Sequence, residues 1–155
     1  AEAMALADRI AVLDGGELQQ MDTPRRVYEQ PATAMVADFV GRGMLVDAQV
    51  LGADGDGHCQ AELLGSRVRV RCDDPRPGPA KVCLRTEQLR VVAAPEAGAI
   101  QTRLIDVIYR GPVSTLLLRP DVNPQALLRV DVNTLPPALD STLHVSVLDA
   151  WRLPG

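Results

Sequence analysis

The side chains most suggestive of chemistry lie between residues 54 and 83. Asp54-Gly55-Asp56-Gly57 places oxygen donors at alternate positions, as a cation-binding loop does at its start. An EF-hand calcium loop needs another oxygen ligand at the next alternate place and a Glu at its twelfth, where this chain has His58 and Gly65. The stretch therefore reads as a hairpin turn, following the Asp-Gly preference for positive φ. Cys59, Cys72, Cys83, His58 and His144 are the candidates for a softer metal, but their spacings match no zinc pattern and no C-x-x-C occurs. The cysteines are expected to be small buried hydrophobes. Ser66, Ser114, Ser141 and Ser146 stand outside any G-x-S-x-G elbow, and only two histidines could serve as base. Lys81, the single lysine, follows Pro79-Ala80 rather than a glycine-rich phosphate loop. No catalytic, cofactor or metal site is assigned to this chain.

Arg67, Arg69 and Arg71 alternate along one strand face, a pattern able to follow a nucleic-acid backbone. Single-strand binding also needs aromatic platforms for the bases, and the β-rich region offers only Tyr109 and Trp151. A solvated or ion-paired face is the expectation. Sixteen Lys+Arg against twenty Asp+Glu leave a net charge of -4, which attracts neither nucleic acid nor an anionic membrane. The longest apolar runs, such as Leu116-Leu117-Leu118, fall well short of the ~20 residues that span a bilayer. Three widely spaced cysteines give no disulfide framework and suit a reducing compartment. Ala1 to Asp8 has no basic n-region or long apolar stretch, so it is no signal peptide and reads as a chain cut from something longer.

These residues are positioned by two kinds of element. Glu2 to Asp8 reads as the last turns of a helix. Arg9 to Asp14 and Glu17 to Met21 form a hairpin around Gly15-Gly16. Thr23-Pro24 starts a helix that stops before Pro31, and Thr33 caps a second, Ala34 to Val40, with Met35, Val36, Phe39 and Val40 on one face. Gly41 suits the left-handed position after that helix, and a boundary is placed there. From Met44 onward short β-type stretches alternate with turn residues, as in an all-β barrel or sandwich. The expected strands are 44–52, 58–64, 67–72, 80–85, 88–93, 100–110, 113–119, 126–132 and 142–149.

The order Ala7-Asp8-Arg9-Ile10-Ala11-Val12-Leu13, Gly15-Gly16-Glu17-Leu18, Thr23-Pro24-Arg25-Arg26-Val27-Tyr28, Pro31-Ala32-Thr33 and Val36-Ala37-Asp38-Phe39-Val40-Gly41 closely resembles the end of the nucleotide-binding domain of ABC importer ATPases. The branch is the one importing ferric iron, polyamines, sugars and related solutes. The resemblance implies that residues 42–155 form the regulatory region of TOBE type, made of small OB-like β-barrels. Val82-Cys83-Leu84-Arg85-Thr86-Glu87-Gln88-Leu89-Arg90-Val91 looks like that family's strand ending in Arg-Pro-Glu, with Thr86 in place of the proline. Val107-Ile108-Tyr109-Arg110-Gly111 looks like its strand that ends at a glycine.

The fold expected is thus mainly β, an OB-like barrel region (42–155) preceded by a short α/β tail of the ATPase domain (1–41). The fragment itself is not expected to be an enzyme; the parent it resembles uses ATP and Mg, whose Walker, signature and H-loop elements would lie upstream. The expected role is to tether and tune two ATPase subunits as a homodimer, beside an importer permease at the cytoplasmic face of the inner membrane, with ferric iron or a polyamine as solute. A small oxyanion-binding module is the alternative. Arg85 and Glu87, two apart, would share a face of an extended strand and could pair there; with Gly111, Arg67, Arg69 and Arg71 they are the candidate regulatory or interface residues. Ile10, Val12, Met35, Phe39 and Val40, together with Leu13, are expected to dock on the ATPase body. Without that body the tail must be disordered, folded back on the barrel, or packed on a second copy.

Overall fold

The computed structural model describes residues 8–41, 43–93 and 95–154. Apart from Asp8, the expected opening helix lies outside them. A hairpin, β1 (Ile10–Asp14) and β2 (Glu17–Asp22), turns at Gly15 and Gly16, both at positive φ. Two six-residue helices follow, α1 (Pro24–Glu29) and α2 (Ala34–Phe39). The Thr23 and Thr33 hydroxyls accept the N–H groups of Arg26 and Val36, the capping the sequence predicts.

Strands β3 (Gly43–Ala53), β4 (His58–Leu63) and β5 (Ser66–Arg71) form a meander, β6 (Gly78–Arg85) pairs antiparallel with the other edge of β3, and β12 (Ala150–Arg152) closes the barrel, parallel to β5 and antiparallel to β6. Between β6 and β12 the chain builds a second, five-stranded sheet from β7 (Leu89–Val92), β8 (Ile100–Tyr109), β9 (Ser114–Pro120), β10 (Leu128–Val132) and β11 (Thr142–Val147), in the order β10-β9-β8-β11-β7. The fold is mainly β and OB-like. Val46, Ala48, Val50, Val68 and Val70 alternate inward from β3 and β5, and their core is continuous with that of the second sheet around Ile100, Leu104, Leu118 and Val145.

The expected strand 142–149 ends at Val147, and the chain re-forms as the three-residue β12, too short to show a period. The second half of β6 is also unusual. Val82, Cys83, Leu84 and Arg85 are all buried, so both strand faces are covered. Val82 and Leu84 point into the barrel core, whereas Cys83 packs outside it with Ala37, Trp151 and Leu153. The cover on that outer face is the tail.

Within the tail, Ile10 and Val12 meet Val27 and Val36 in a small core of their own, with Met35 and Val40 packed against it. This corrects the expected docking face, because Ile10 and Val12 point inward. On α2 the residues buried within this chain are Val36 and Ala37, while Phe39, from the face expected to dock on the ATPase body, is 63% exposed. Ala37 is the position that faces β6, and a small side chain permits that close approach. Among the described residues of the tail, the exposed large apolar groups are Leu13, Leu18, Met21 and Phe39. Of the three arrangements open to the tail, the structure has its described residues folded back on the barrel.

Candidate functional site

The seam between tail and barrel concentrates the polar interactions that join distant parts of the chain. Arg85, at the end of β6, is only 7% exposed and reaches into the tail. Its Nη1 donates to the Gly41 carbonyl at 2.5 Å and to the Ala37 carbonyl at 3.3 Å, and its Nη2 donates to the Tyr28 carbonyl at 2.9 Å. The guanidinium carbon also lies 4.3 Å from the Tyr28 ring centroid. Among the described residues no carboxylate pairs with it. Burial lowers its pKa from the ordinary value, and Arg71 adds to that.

Trp151 supplies the second fastening. Its indole is 4% exposed, and Nε1 donates to the Pro31 carbonyl at 2.9 Å. Arg71 lies 5.4 Å from that ring and forks onto Asp149, with Nε to Oδ1 at 2.7 Å and Nη2 to Oδ2 at 2.9 Å. Gly43 allows the seam to close, because a Cβ there would sit 2.9 Å from Arg85 Nη1, 3.2 Å from the Ala37 carbonyl oxygen and 3.2 Å from Cys83 Sγ.

Between these contacts a cleft of about 250 Å³ remains. Arg25, Tyr28, Glu29 and Pro31 line it from the tail; Arg71, Cys83, Arg85, Gln88, Asp149, Ala150 and Trp151 line it from the barrel. Burial raises the Cys83 thiol pKa against the pull of the Arg85 and Arg71 guanidiniums, so this cysteine is a neutral wall rather than a nucleophile.

The other candidate residues are dispersed. Glu87 falls within a 3-10 turn, Thr86–Gln88, rather than on an extended strand; it is exposed and makes no ion pair with Arg85, which corrects the shared-face expectation. Arg67 pairs with Glu62 at 3.4 Å and Arg69 with Asp54 at 3.3 Å, both in solvent. Gly111, at φ +87°, turns the β8–β9 hairpin and does not line the cleft. Cys59 and Cys72 are free and buried inside the barrel, and among the described residues no group of His, Cys, Asp and Glu could hold a metal. Sequence reasoning missed Tyr28, Gly43, Asp149 and Trp151 as a set, because their partners lie far away in sequence. The one available signal was that the chain's single Trp lies beside Asp149 and Arg152.

A family model described as the TOBE domain matches residues 82–152, which take in Arg85, the second sheet and β12. The Fe(3+) ions import ATP-binding protein FbpC of Rhizobium etli is 32% identical over 143 residues, 92% of this chain and 40% of the relative. Residues 82–152 carry a TOBE domain, and the chain is similar to part of ABC importer ATP-binding subunits. The spermidine/putrescine import ATP-binding protein PotA of Marinobacter nauticus is 30% identical over 97% of this chain and 42% of its own length. The sulfate/thiosulfate import ATP-binding protein CysA 2 of Chromobacterium violaceum is 33% identical over 84% and 35%. The TOBE chain thus spans about two fifths of the length of such relatives. Its fold is also that of the cytoplasmic molybdate-binding protein ModG, with a TM-score of 0.52 at 8% identity, covering 72% of this chain and 96% of that one. No helix among the described residues is long and apolar enough to cross a membrane.

Proposed function

We propose that this chain is the regulatory and dimerising part of an importer's ATP-hydrolysing subunit, with residues 1–41 as the end of the ATPase domain and 42–155 as the regulatory β-domain. ATP and Mg act elsewhere in the whole subunit, which works with a membrane permease at the cytoplasmic face to import ferric iron or a polyamine. Two β-domains held together keep two ATPase domains at high effective concentration, so that each closure around ATP is intramolecular.

The observation that carries this reading is the seam. Arg85 and Trp151 grip four main-chain carbonyls of the tail, at Tyr28, Pro31, Ala37 and Gly41. A displacement of the barrel is therefore passed to the tail as a rigid movement, which a regulatory domain requires and a loosely linked one lacks. The uncovered Leu13, Leu18, Met21 and Phe39 supply an apolar face for the remainder of an ATPase domain. Sedimentation of this chain, beside a full-length subunit and one lacking residues 42–155, tests the tether. Dimers of the first two and a monomeric truncation are expected; a monomeric chain with an unaffected truncation contradicts it.

The oxyanion-binding alternative draws support from the fold shared with a molybdate-binding protein. Against it, Arg67, Arg69 and Arg71 each already have a carboxylate. Saturable stabilisation by molybdate, sulfate or phosphate would favour it.

A further inference from the structure

The charges around the seam cleft do not cancel. Arg25 pairs with Glu29 at 2.6 Å and Arg71 forks onto Asp149, but Arg85 meets carbonyl oxygens and a ring face and no carboxylate among the described residues. A guanidinium carries five N–H groups. The three contacts to the tail use three of them, two on Nη1 and one on Nη2, which leaves Nε–H and one Nη2–H without an acceptor among the described residues. No fully buried polar side-chain atom among the described residues lacks a partner, so Nε is reached by solvent. Arg85 lines the cleft.

The cleft's size and walls restrict what could answer that charge. About 250 Å³ holds about eight water-sized groups, and the Tyr28 and Trp151 rings, Pro31 and Cys83 make much of its wall apolar. A strongly hydrated divalent oxyanion would lose its water against those walls with one unmatched cation in return. A singly charged group on a compact apolar body matches both features.

We propose that the seam cleft binds a small organic monocarboxylate, its carboxylate at Arg85 and its apolar body against the Tyr28 and Trp151 rings. Such a ligand touches tail and barrel together and fastens one to the other. Binding stands independently of the tether; only its effect on an ATPase domain rests on the regulatory reading.

Trp151 is the chain's single tryptophan, so its fluorescence reports this cleft alone. The test titrates the 155-residue chain with benzoate, and in parallel with benzamide, sulfate and molybdate. Expected is a saturable change with benzoate and none with the others. Gln88→Glu, which sets a negative charge at the cleft wall, is expected to weaken benzoate binding by ~10-fold or more. Arg85→Gln is expected to abolish it if that variant folds. No response to benzoate, an equal response to benzamide, or undiminished binding by Gln88→Glu would overturn the proposal. A response to sulfate or molybdate alone would also overturn it, while leaving the oxyanion reading in place.

Discussion

The Arg85 guanidinium stacks on the Tyr28 ring at 4.3 Å and donates to the carbonyl oxygen of the same residue at 2.9 Å. One side chain of the barrel thus holds the last turn of α1 both by its face and by its edge, across 57 residues of sequence. Because no carboxylate among the described residues neutralises the cation, the arrangement depends on three carbonyl dipoles and a π-face, and its energetic worth is confined to the docked state.

Arg85→Met keeps the apolar stem and removes the fork. It leaves the Tyr28, Ala37 and Gly41 carbonyls short of a donor and is expected to cost about 2–4 kcal/mol in urea unfolding. Limited proteolysis should then cut within 30–43, where the parent chain resists. A variant as stable and as resistant as the parent would show that the clamp is incidental.

Gly43→Ala tests the same place from the backbone side. The new methyl would press on Arg85 Nη1, the Ala37 carbonyl and Cys83 Sγ at once, so about 1–3 kcal/mol of destabilisation is expected from overpacking. Gly111→Ala, by contrast, meets nothing within 4 Å, and only its φ of +87° is strained. The two should separate in proteolysis, since only the first loosens the tail.

Trp151→Phe retains the aromatic packing but removes the donor to the Pro31 carbonyl, for about 1 kcal/mol. Trp151→Ala also opens a cavity beside Ala37 and Cys83, for about 3–5 kcal/mol. Equal losses from both would assign the whole effect to the hydrogen bond.

Burial, with the neighbouring Cys72 thiol, pushes the Cys59 pKa from 9.0 up to about 12. The folded state holds this proton more tightly than the unfolded chain, so the contribution is complete below pH 9 and is lost as pH rises toward 12. Urea midpoints measured from pH 8 to 11 should fall in the parent chain and fall less in Cys59→Ala. Parallel curves would contradict this origin.

Much of the local structure was legible in the sequence, because it is set by neighbours. Thr23-Pro24 and Thr33 start helices through their own hydroxyls, Gly15-Gly16 turns a hairpin, and the alternation Arg67 to Arg71 follows the pleat of β5. The features that depend on distant partners were not. Arg85 and Glu87 share a face only if the chain stays extended, and the 3-10 turn at Thr86 rotates them apart. Helical spacing puts Phe39 with Val36, yet the strand that α2 meets selects Ala37. Closure of the barrel by β12 depends on pairing with β5 and β6, strands 65 or more residues away.

Phe39→Ser should change the stability of this chain by less than about 0.5 kcal/mol, as expected for a largely exposed side chain. A loss comparable to that of a core residue would place Phe39 in a contact the structure lacks.

Amide hydrogen exchange across α1 and α2 tests the docking of tail on barrel most directly. Six-residue helices have no protection of their own, so the slow exchange expected at Ala37 must come from the seam, and that at Val27 from the tail's small core as the seam holds it in place. In the parent chain these amides should be protected, and in Arg85→Met they should exchange at least ~10-fold faster while Val70 and Ile100 stay unchanged. Rapid exchange at Val27 and Ala37 in the parent chain, beside a protected barrel, would contradict the account.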